Sequence, residues 1–149
     1  MKRVYPIEEY CMGCGLCEVY CLVEHSKSKR IVDAYRKEFP KAMPLNHVEE
    51  NGSTSISLSC RHCEDPLCVK ACMTGAMKKT EDGRVVVNKE KCAGCWMCIM
   101  VCPVGAIQPD KTNSTVASKC DLCVERGTPV CVERCPNKAL VYEDRDGGN

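Results

Sequence analysis

Short runs of alternating or β-branched apolar residues predict several β-strands. The alternation is clearest in Ser55-Ile56-Ser57-Leu58, and β-leaning runs recur in Arg84-Val85-Val86-Val87 and Thr115-Val116-Ala117. The turn-forming sequence Glu81-Asp82-Gly83 predicts a hairpin between a strand near Ala76–Lys79 and the strand at Val85–Val87. The pattern therefore predicts short strands next to the cysteine-rich segments of the chain.

The longest cysteine-free segment, residues 22–59, does not follow this pattern. It contains Pro40, Pro44 and the turn-forming pair Asn51-Gly52, and only the stretch near Ile31–Phe39 favours a short helix. Long segments of this kind are often functional surfaces. We predict a loop-rich insertion at residues 23–54.

Cysteine is the unusual residue, with 16 copies among 149 residues. This share, about 11%, exceeds that of ordinary globular proteins. The cysteines fall into four groups of four: Cys11, Cys14, Cys17 and Cys21; Cys60, Cys63, Cys68 and Cys72; Cys92, Cys95, Cys98 and Cys102; Cys120, Cys123, Cys131 and Cys135. Apolar side chains cannot fill the interior alone, because the chain has one Phe and one Trp.

The spacing within the groups is typical of iron–sulfur ligands. The first and third groups read C-x2-C-x2-C-x3-C, and every group ends in C-x3-C. Three thiolates of such a run converge on one cluster, and the fourth ligates the other cluster of a pair. Pro103 and Pro136 follow the last cysteine of the third and fourth groups, as is common in this motif. The last three groups thus predict a unit of strand, cluster loop, short helix and strand, whereas the first group departs from this scheme after Cys21.

Charge and hydropathy narrow the classes of function. The formal net charge is +1 with the signs interspersed, so the sequence offers no basic patch for nucleic acid. Residues 1–10 lack the apolar run of a secretory signal, and no window reaches the roughly 18 apolar residues of a membrane span. We therefore expect a cytoplasmic protein without membrane insertion, whose cysteines bind metal rather than form disulfides.

At these four groups the chain resembles the polyferredoxin-like iron–sulfur subunits of bacterial and archaeal redox complexes. The motifs that carry the resemblance are Cys11-Met-Gly-Cys14-Gly-Leu-Cys17, Cys60-Arg-His-Cys63, Cys92-Ala-Gly-Cys95-Trp-Met-Cys98 and Lys119-Cys120-Asp-Leu-Cys123. The resemblance implies an α+β fold of two nested two-cluster ferredoxin halves. One half would comprise residues 1–22 with 112–149, and the other residues 55–111.

The resemblance also implies how the groups share four [4Fe-4S] clusters. In such proteins the first group pairs with the fourth and the second with the third. The implied sets are Cys11, Cys14, Cys17 with Cys135; Cys120, Cys123, Cys131 with Cys21; Cys60, Cys63, Cys68 with Cys102; and Cys92, Cys95, Cys98 with Cys72. Spacing alone indicates only that the last ligands are exchanged between groups.

The implied function is electron transfer without a catalytic site. The start Tyr10–Cys14 and the short Cys123-x7-Cys131 spacing resemble the iron–sulfur protein of carbon monoxide dehydrogenase systems. The donor would then be carbon monoxide dehydrogenase, and the acceptor a hydrogenase or a flavin-dependent NAD(P) oxidoreductase. An electron-transfer subunit of a formate dehydrogenase, a hydrogenase or a molybdopterin reductase is the alternative.

Four further interpretations concern a rival metal, His62, Trp96 and a set of methionines. A zinc-binding scaffold is the alternative from another class, although structural zinc sites favour two separated C-x2-C pairs. For His62, inside the second loop, we favour a packing or solvent-facing role over a hydrogen bond to a cluster. Trp96 is expected to shield a cluster. Met73, Met77, Met97 and Met100 are expected to pack around the clusters.

Overall fold

Short strands alternate with short helices along the chain. The computed structural model describes residues 1–112 and 115–145. In this part the strands are β1 Arg3–Pro6, β2 His47–Asn51, β3 Thr54–Leu58, β4 Met77–Lys79, β5 Val85–Val87, β6 Ile107–Pro109, β7 Ala117–Lys119 and β8 Leu140–Glu143. The α-helices are α1 Leu16–Glu24, α2 Ile31–Arg36, α3 Leu67–Lys70, α4 Met97–Met100 and α5 Val130–Glu133. This mixture confirms the predicted α+β class.

The strands form antiparallel pairs in the order β1–β8, β2–β3, β4–β5 and β6–β7. The hairpin predicted around Glu81-Asp82-Gly83 is confirmed, since Met77 lies opposite Val87. Strand β3 confirms the alternating run, whereas β7 begins at Ala117, two residues later than the predicted Thr115. The β1–β8 pair joins the two ends of the chain, with Arg3 opposite Glu143.

The helices that follow the cysteine loops pack in two pairs. Helix α1 of the first group contacts α5 of the fourth, and α3 of the second group contacts α4 of the third. The β6–β7 hairpin, by contrast, crosses the predicted boundary between residues 111 and 112. The division into residues 1–22 with 112–149, 23–54 and 55–111 stays a prediction, and residues 113–114 and 146–149 lie outside the described part.

The insertion contains more regular structure than the sequence predicts. Helix α2 confirms the predicted helical piece but ends at Arg36, three residues before Phe39. Its small Ala34 side chain is fully buried and packs against Leu22 and Val23 of α1. The insertion also supplies β2, which pairs with β3 across the Asn51-Gly52 turn. The description as loop-rich therefore missed one strand of a hairpin.

Cysteines make up much of the interior. The largest buried cluster combines Val4, Ala106, Leu122 and Leu140 with Cys17, Cys60, Cys120 and Cys131. Met77 is buried as expected, but Met73 and Met100 are largely exposed, so the prediction that all four methionines pack internally is wrong. None of the described helices has the length and hydropathy required to cross a bilayer.

Candidate functional site

Thiols from opposite ends of the chain line one cavity. Cys11, Cys14 and Cys17 of the first group meet Cys135 of the fourth group there. The remaining lining is mostly apolar and includes Tyr10, Met12, Val48, Pro136, Ala139 and Leu140. The structure thus brings together the first of the four implied ligand sets.

A second cavity combines the second and third groups. It is lined by Cys72 with Cys92, Cys95 and Cys98, and the Trp96 side chain forms part of its wall. The position of Trp96 in this wall agrees with the shielding role expected for it. Met77 and Ala117 contribute apolar surface to the same cavity.

The pKa values of the remaining thiols indicate which of them lie close together. Burial, together with the nearby Cys60, Cys102 and Cys63, raises the pKa of Cys68 to about 11, against the lowering effect of Lys119. Each of these cysteines belongs to the same implied set. The Cys68 thiol is therefore neutral at pH 7 without metal, and binding of a metal ion must release its proton.

The fourth set shows the same mutual influence. Burial raises the pKa of the Cys131 thiol, and Cys120, Cys21 and Cys123 raise it further. Burial also raises the pKa of Cys120, with Cys21 again among the contributing neighbours. Cys21 therefore lies with the fourth group, although it belongs to the first group in sequence.

The four cysteine loops share one backbone feature that the cysteine spacing does not indicate. The second residue after the first cysteine has a positive φ in every loop: Gly13 (68°), His62 (46°), Gly94 (66°) and Leu122 (65°). In two loops this conformation turns a backbone N–H towards sulfur, because His62 donates to Cys60 Sγ and Leu122 to Cys120 Sγ, both at 3.4 Å. The left-handed conformation of His62 and Leu122 could not be read from residue type.

Further N–H groups are directed at the last cysteine of a group. Met77 donates its N–H to Cys72 Sγ at 3.4 Å, and Ala139 donates to Cys135 Sγ at 3.2 Å. Cys21 receives its bond from the insertion, where Leu45 donates its N–H at 3.2 Å. Hydrogen bonds to sulfur are among the factors that set the reduction potential of an iron–sulfur cluster.

His62 is completely buried and has a structural role. Its Nδ1 accepts a hydrogen bond of 3.0 Å from the N–H of Val85 in β5. Burial, together with the positive charge of Lys119, lowers the pKa of His62 to about 3, so the ring is neutral at pH 7. The packing role is thus confirmed, and the solvent-facing alternative is wrong.

His25, in the segment that follows Cys21, lies beside the fourth loop. Its Nδ1 donates to the carbonyl oxygen of Cys21 at 2.8 Å, and its Nε2 donates to the carboxylate of Asp121 at 3.2 Å. Burial lowers the pKa of His25, but the bond to Asp121 and the nearby Cys21 outweigh this effect and raise it to about 11. His25 therefore ties the end of α1 to the loop that carries Cys120 and Cys123.

The donor sets fit cubane iron–sulfur clusters. Such a cluster takes four cysteine thiolates, and each set combines three thiols of one group with one of another. The largely apolar linings of the two cavities provide the low-polarity surroundings that such clusters occupy.

Comparisons with known proteins agree with this geometry. A model of the 4Fe-4S dicluster domain matches residues 52–145. An iron–sulfur protein of Rhodospirillum rubrum is 38% identical over 96% of this chain and 82% of its own length. The B subunit of anaerobic dimethyl sulfoxide reductase from Escherichia coli (strain K12) is 40% identical over 89% of this chain and 68% of its own length.

A solved structure supports the fold. A chain of the active-site complex BamBC of benzoyl coenzyme A reductase superposes on this protein with a TM-score of 0.52 and 20% identity. The match covers 97% of this protein and 78% of that chain. The chain therefore belongs to the 4Fe-4S dicluster domain family, and its cofactors are four [4Fe-4S] clusters.

Proposed function

We propose that this protein is an electron-transfer subunit that passes single electrons between a catalytic redox subunit and an acceptor protein. Each bound [4Fe-4S] cluster supplies a one-electron couple. The similarity to the B subunit of dimethyl sulfoxide reductase supports a role beside a catalytic subunit rather than a catalytic activity of its own. The cysteines are all needed as ligands, so none remains to act as a nucleophile.

We assign the ligands according to the nested scheme. The proposed sets are the outer first set Cys11, Cys14, Cys17 and Cys135; the inner fourth set Cys120, Cys123, Cys131 and Cys21; the inner second set Cys60, Cys63, Cys68 and Cys102; and the outer third set Cys92, Cys95, Cys98 and Cys72. The cavity linings and the mutual pKa effects support this assignment. The helix pairs α1–α5 and α3–α4 support the same two halves.

Electrostatic effects and packing between the ligand sets support a linear order of the four clusters. Cys17 of the first set is among the neighbours that raise the pKa of buried Cys131 in the fourth set. Cys60 of the second set acts likewise on buried Cys120 of the fourth. Cys68 of the second set and Cys98 of the third pack in one apolar cluster. These relations support the order first, fourth, second, third, which we propose for the series.

The main support for the electron-transfer proposal is the exposure of two cysteine ligands. Among the cysteines only Cys14, in the first set, and Cys95, in the third, are exposed. The two ends of the proposed series of clusters therefore have an exposed ligand each, whereas the ligands of the inner sets are buried or only partly exposed. A partner at each end could exchange electrons with this protein, as a conducting subunit requires.

Anaerobic reconstitution tests the electron-transfer proposal. We expect about 16 iron atoms per protein molecule, brown colour, and reversible bleaching by a low-potential reductant. The Cys60→Ser variant should lose one inner cluster and slow electron passage to an acceptor, while a catalytic donor still reduces the outer first cluster. About four zinc atoms and no colour would instead support a zinc scaffold and overturn the proposal.

For the donor we propose carbon monoxide dehydrogenase, with a hydrogenase or a flavin-dependent NAD(P) oxidoreductase as the acceptor. The Tyr10–Cys14 start and the short Cys123-x7-Cys131 spacing support this choice. The second candidate is an electron-transfer subunit of a formate dehydrogenase, a hydrogenase or a molybdopterin reductase, which the similarity to the dimethyl sulfoxide reductase subunit favours. We place the protein in the cytoplasm, because 16 cysteines that bind clusters rather than form disulfides favour a reducing compartment.

Co-purification from the native source distinguishes these donors. The tagged holoprotein should retain carbon monoxide dehydrogenase under anaerobic conditions, and carbon monoxide should bleach its visible absorption in that preparation. Retention of a formate dehydrogenase or hydrogenase whose substrate bleaches the protein would replace the first candidate by the second. So would retention of a molybdopterin reductase whose oxidised substrate restores the absorption of the pre-reduced protein. Fractionation of the same cells should recover the protein without detergent.

A further inference from the structure

A buried lysine lies where the two halves of the protein meet. Lys119 ends strand β7, directly before Cys120, and its accessible fraction is 5%. Its ammonium group donates to the carbonyl oxygen of Cys120 at 3.0 Å and to that of Val85. Lys119 therefore connects the loop of the fourth group to strand β5, which lies between the second and third groups.

The contacts of Lys119 continue to the loop of the second group. The peptide N–H of Val85, whose C=O accepts from Lys119, donates to Nδ1 of His62 at 3.0 Å. The charge of Lys119 lowers the pKa of Cys68, against the dominant effect of burial. One ammonium group is thus close to ligands of both inner sets.

Among the residues that the structure describes, the charge of this side chain has no anionic partner. In the described part of the protein its hydrogen-bond acceptors are the two carbonyl oxygens and no carboxylate. Burial of a cation costs free energy unless an opposite charge lies nearby. An oxidised [4Fe-4S] cluster with four thiolates carries about −2, so the two inner clusters would supply that charge.

We propose that Lys119 sets the reduction potentials of the two inner clusters by placing one positive charge between them. The proposal rests on the proposed function, since it takes the inner sets as cluster ligands. Reduction adds a negative charge to a cluster, and a nearby cation stabilises the reduced form more than the oxidised form. The charge of Lys119 therefore stabilises an added electron on either of the two inner clusters.

Three variants of Lys119 test the proposal in the isolated holoprotein. Lys119→Met removes the charge with little change in size, Lys119→Gln keeps hydrogen-bond donors without the charge, and Lys119→Arg keeps the charge. The readout is a potentiometric titration followed by electron paramagnetic resonance. Signals are assigned by comparison with Cys21→Ser and Cys102→Ser, which each disturb one inner set. Lys78→Met is the matched control, because Lys78 is an exposed strand residue.

Both neutral variants should shift the reduction equilibrium of the inner clusters about tenfold towards the oxidised form, which is about 59 mV for one electron. The outer clusters, the Lys119→Arg variant and the Lys78→Met control should shift much less. Unchanged inner potentials in fully loaded neutral variants would overturn the proposal, although electron transfer itself would stand. A wild-type protein without [4Fe-4S] signals would refute the proposed function instead.

The loss of clusters from the Lys119 variants would also test the proposal. If Lys119→Met and Lys119→Gln lose only the inner clusters and Lys119→Arg retains them, the charge is needed to hold those clusters, which supports the proposal. If all three variants lose them equally, Lys119 has a packing role and the proposal is wrong. Iron content and visible absorption separate these results before any potential is measured.

Discussion

Leu45 donates its backbone N–H to Sγ of Cys21 over 3.2 Å. Met77 and Ala139 provide the corresponding bonds to Cys72 and Cys135 from a turn only a few residues away. After Cys21 no such turn forms, because helix α1 continues to Glu24. The insertion therefore replaces a local donor and forms part of the cysteine site.

The Cys21→Ser substitution tests the exchange of ligands between groups. We expect this variant to lose or alter the cluster held by Cys120, Cys123 and Cys131, because Cys21 lies with those thiols. The cluster of Cys11, Cys14 and Cys17 should persist. Iron analysis and electron paramagnetic resonance of the anaerobic protein measure both effects.

The matched control for Cys21→Ser is Cys135→Ser, at the end of the fourth group. This variant should disturb the cluster of Cys11, Cys14 and Cys17, whose cavity Cys135 lines. The two variants thus have opposite expected patterns. Damage to the first group's own cluster in Cys21→Ser would contradict the nested assignment.

Cysteine spacing predicts much of this site but little of its surroundings. The C-x3-C steps indicate that last ligands are exchanged, and the family resemblance implies which thiols meet. The Glu81-Asp82-Gly83 hairpin follows from local turn chemistry. These features depend on short-range geometry, which a sequence pattern records directly.

The contacts missed from sequence are long-range or have atypical backbone geometry. Leu45 reaches Cys21 through its backbone N–H, which no residue type specifies. His62 adopts the left-handed conformation that glycine takes in the first and third loops. Lys119 is buried although lysine is among the least buried residues. Tertiary packing decides each of these, so the linear pattern carried no signal for them.

Gly94→Ala should destabilise the third loop through a steric clash. An added Cβ would lie 2.5 Å from the carbonyl oxygen of Thr115, and the backbone has φ +66°. Gly105 has nearly the same φ, +65°, but no heavy atom within 4 Å of its added Cβ. Gly105→Ala therefore reports the conformational cost alone, about 1 kcal/mol.

We expect Gly94→Ala to cost about 1–3 kcal/mol more than Gly105→Ala, because backbone must move. In a domain of this size the midpoint of thermal unfolding should fall by about 2–4 °C per kcal/mol. Thermal scans of the two holoproteins, with matched iron content, measure the difference. Equal midpoints would show that the Thr115 carbonyl moves without cost.

His62→Leu should destabilise the fold by leaving the N–H of Val85 without its acceptor. A buried N–H without a partner costs about 1–3 kcal/mol. Leu122 occupies the equivalent position of the fourth loop with a similar positive φ, so the backbone tolerates leucine there. His62→Gln, which retains an acceptor, should be less destabilising. Thermal unfolding of both variants is the measurement, and a His62→Leu variant as stable as the wild type would refute the role of this bond.

Asp110→Asn should weaken the contact between the β6–β7 hairpin and the segment before Cys92. The Asp110 carboxylate is buried and accepts from the Lys89 ammonium and from the N–H and hydroxyl of Thr112, at 2.8 and 2.6 Å. Burial raises the pKa of Asp110, but these bonds outweigh it and lower the pKa from 3.8 to about 2. We expect a loss of about 1–2 kcal/mol at pH 7.

The stabilisation by the Asp110 carboxylate should depend on pH in a defined direction. Because the folded protein holds the pKa of Asp110 below 3.8, the stabilisation is fully present above about pH 4 and declines as the pH falls towards 2. Unfolding in guanidinium can be followed by stopped flow as loss of the visible absorption of the clusters. At pH 7 this loss should be about five- to thirtyfold faster for Asp110→Asn than for the wild type. The ratio of the two rates should narrow below pH 4. The control is Asp144→Asn, whose 52% exposed carboxylate pairs with the terminal amine and should contribute little. A rate ratio for Asp110→Asn that stays constant from pH 7 to pH 2 would show that the charged form of Asp110 contributes no stability.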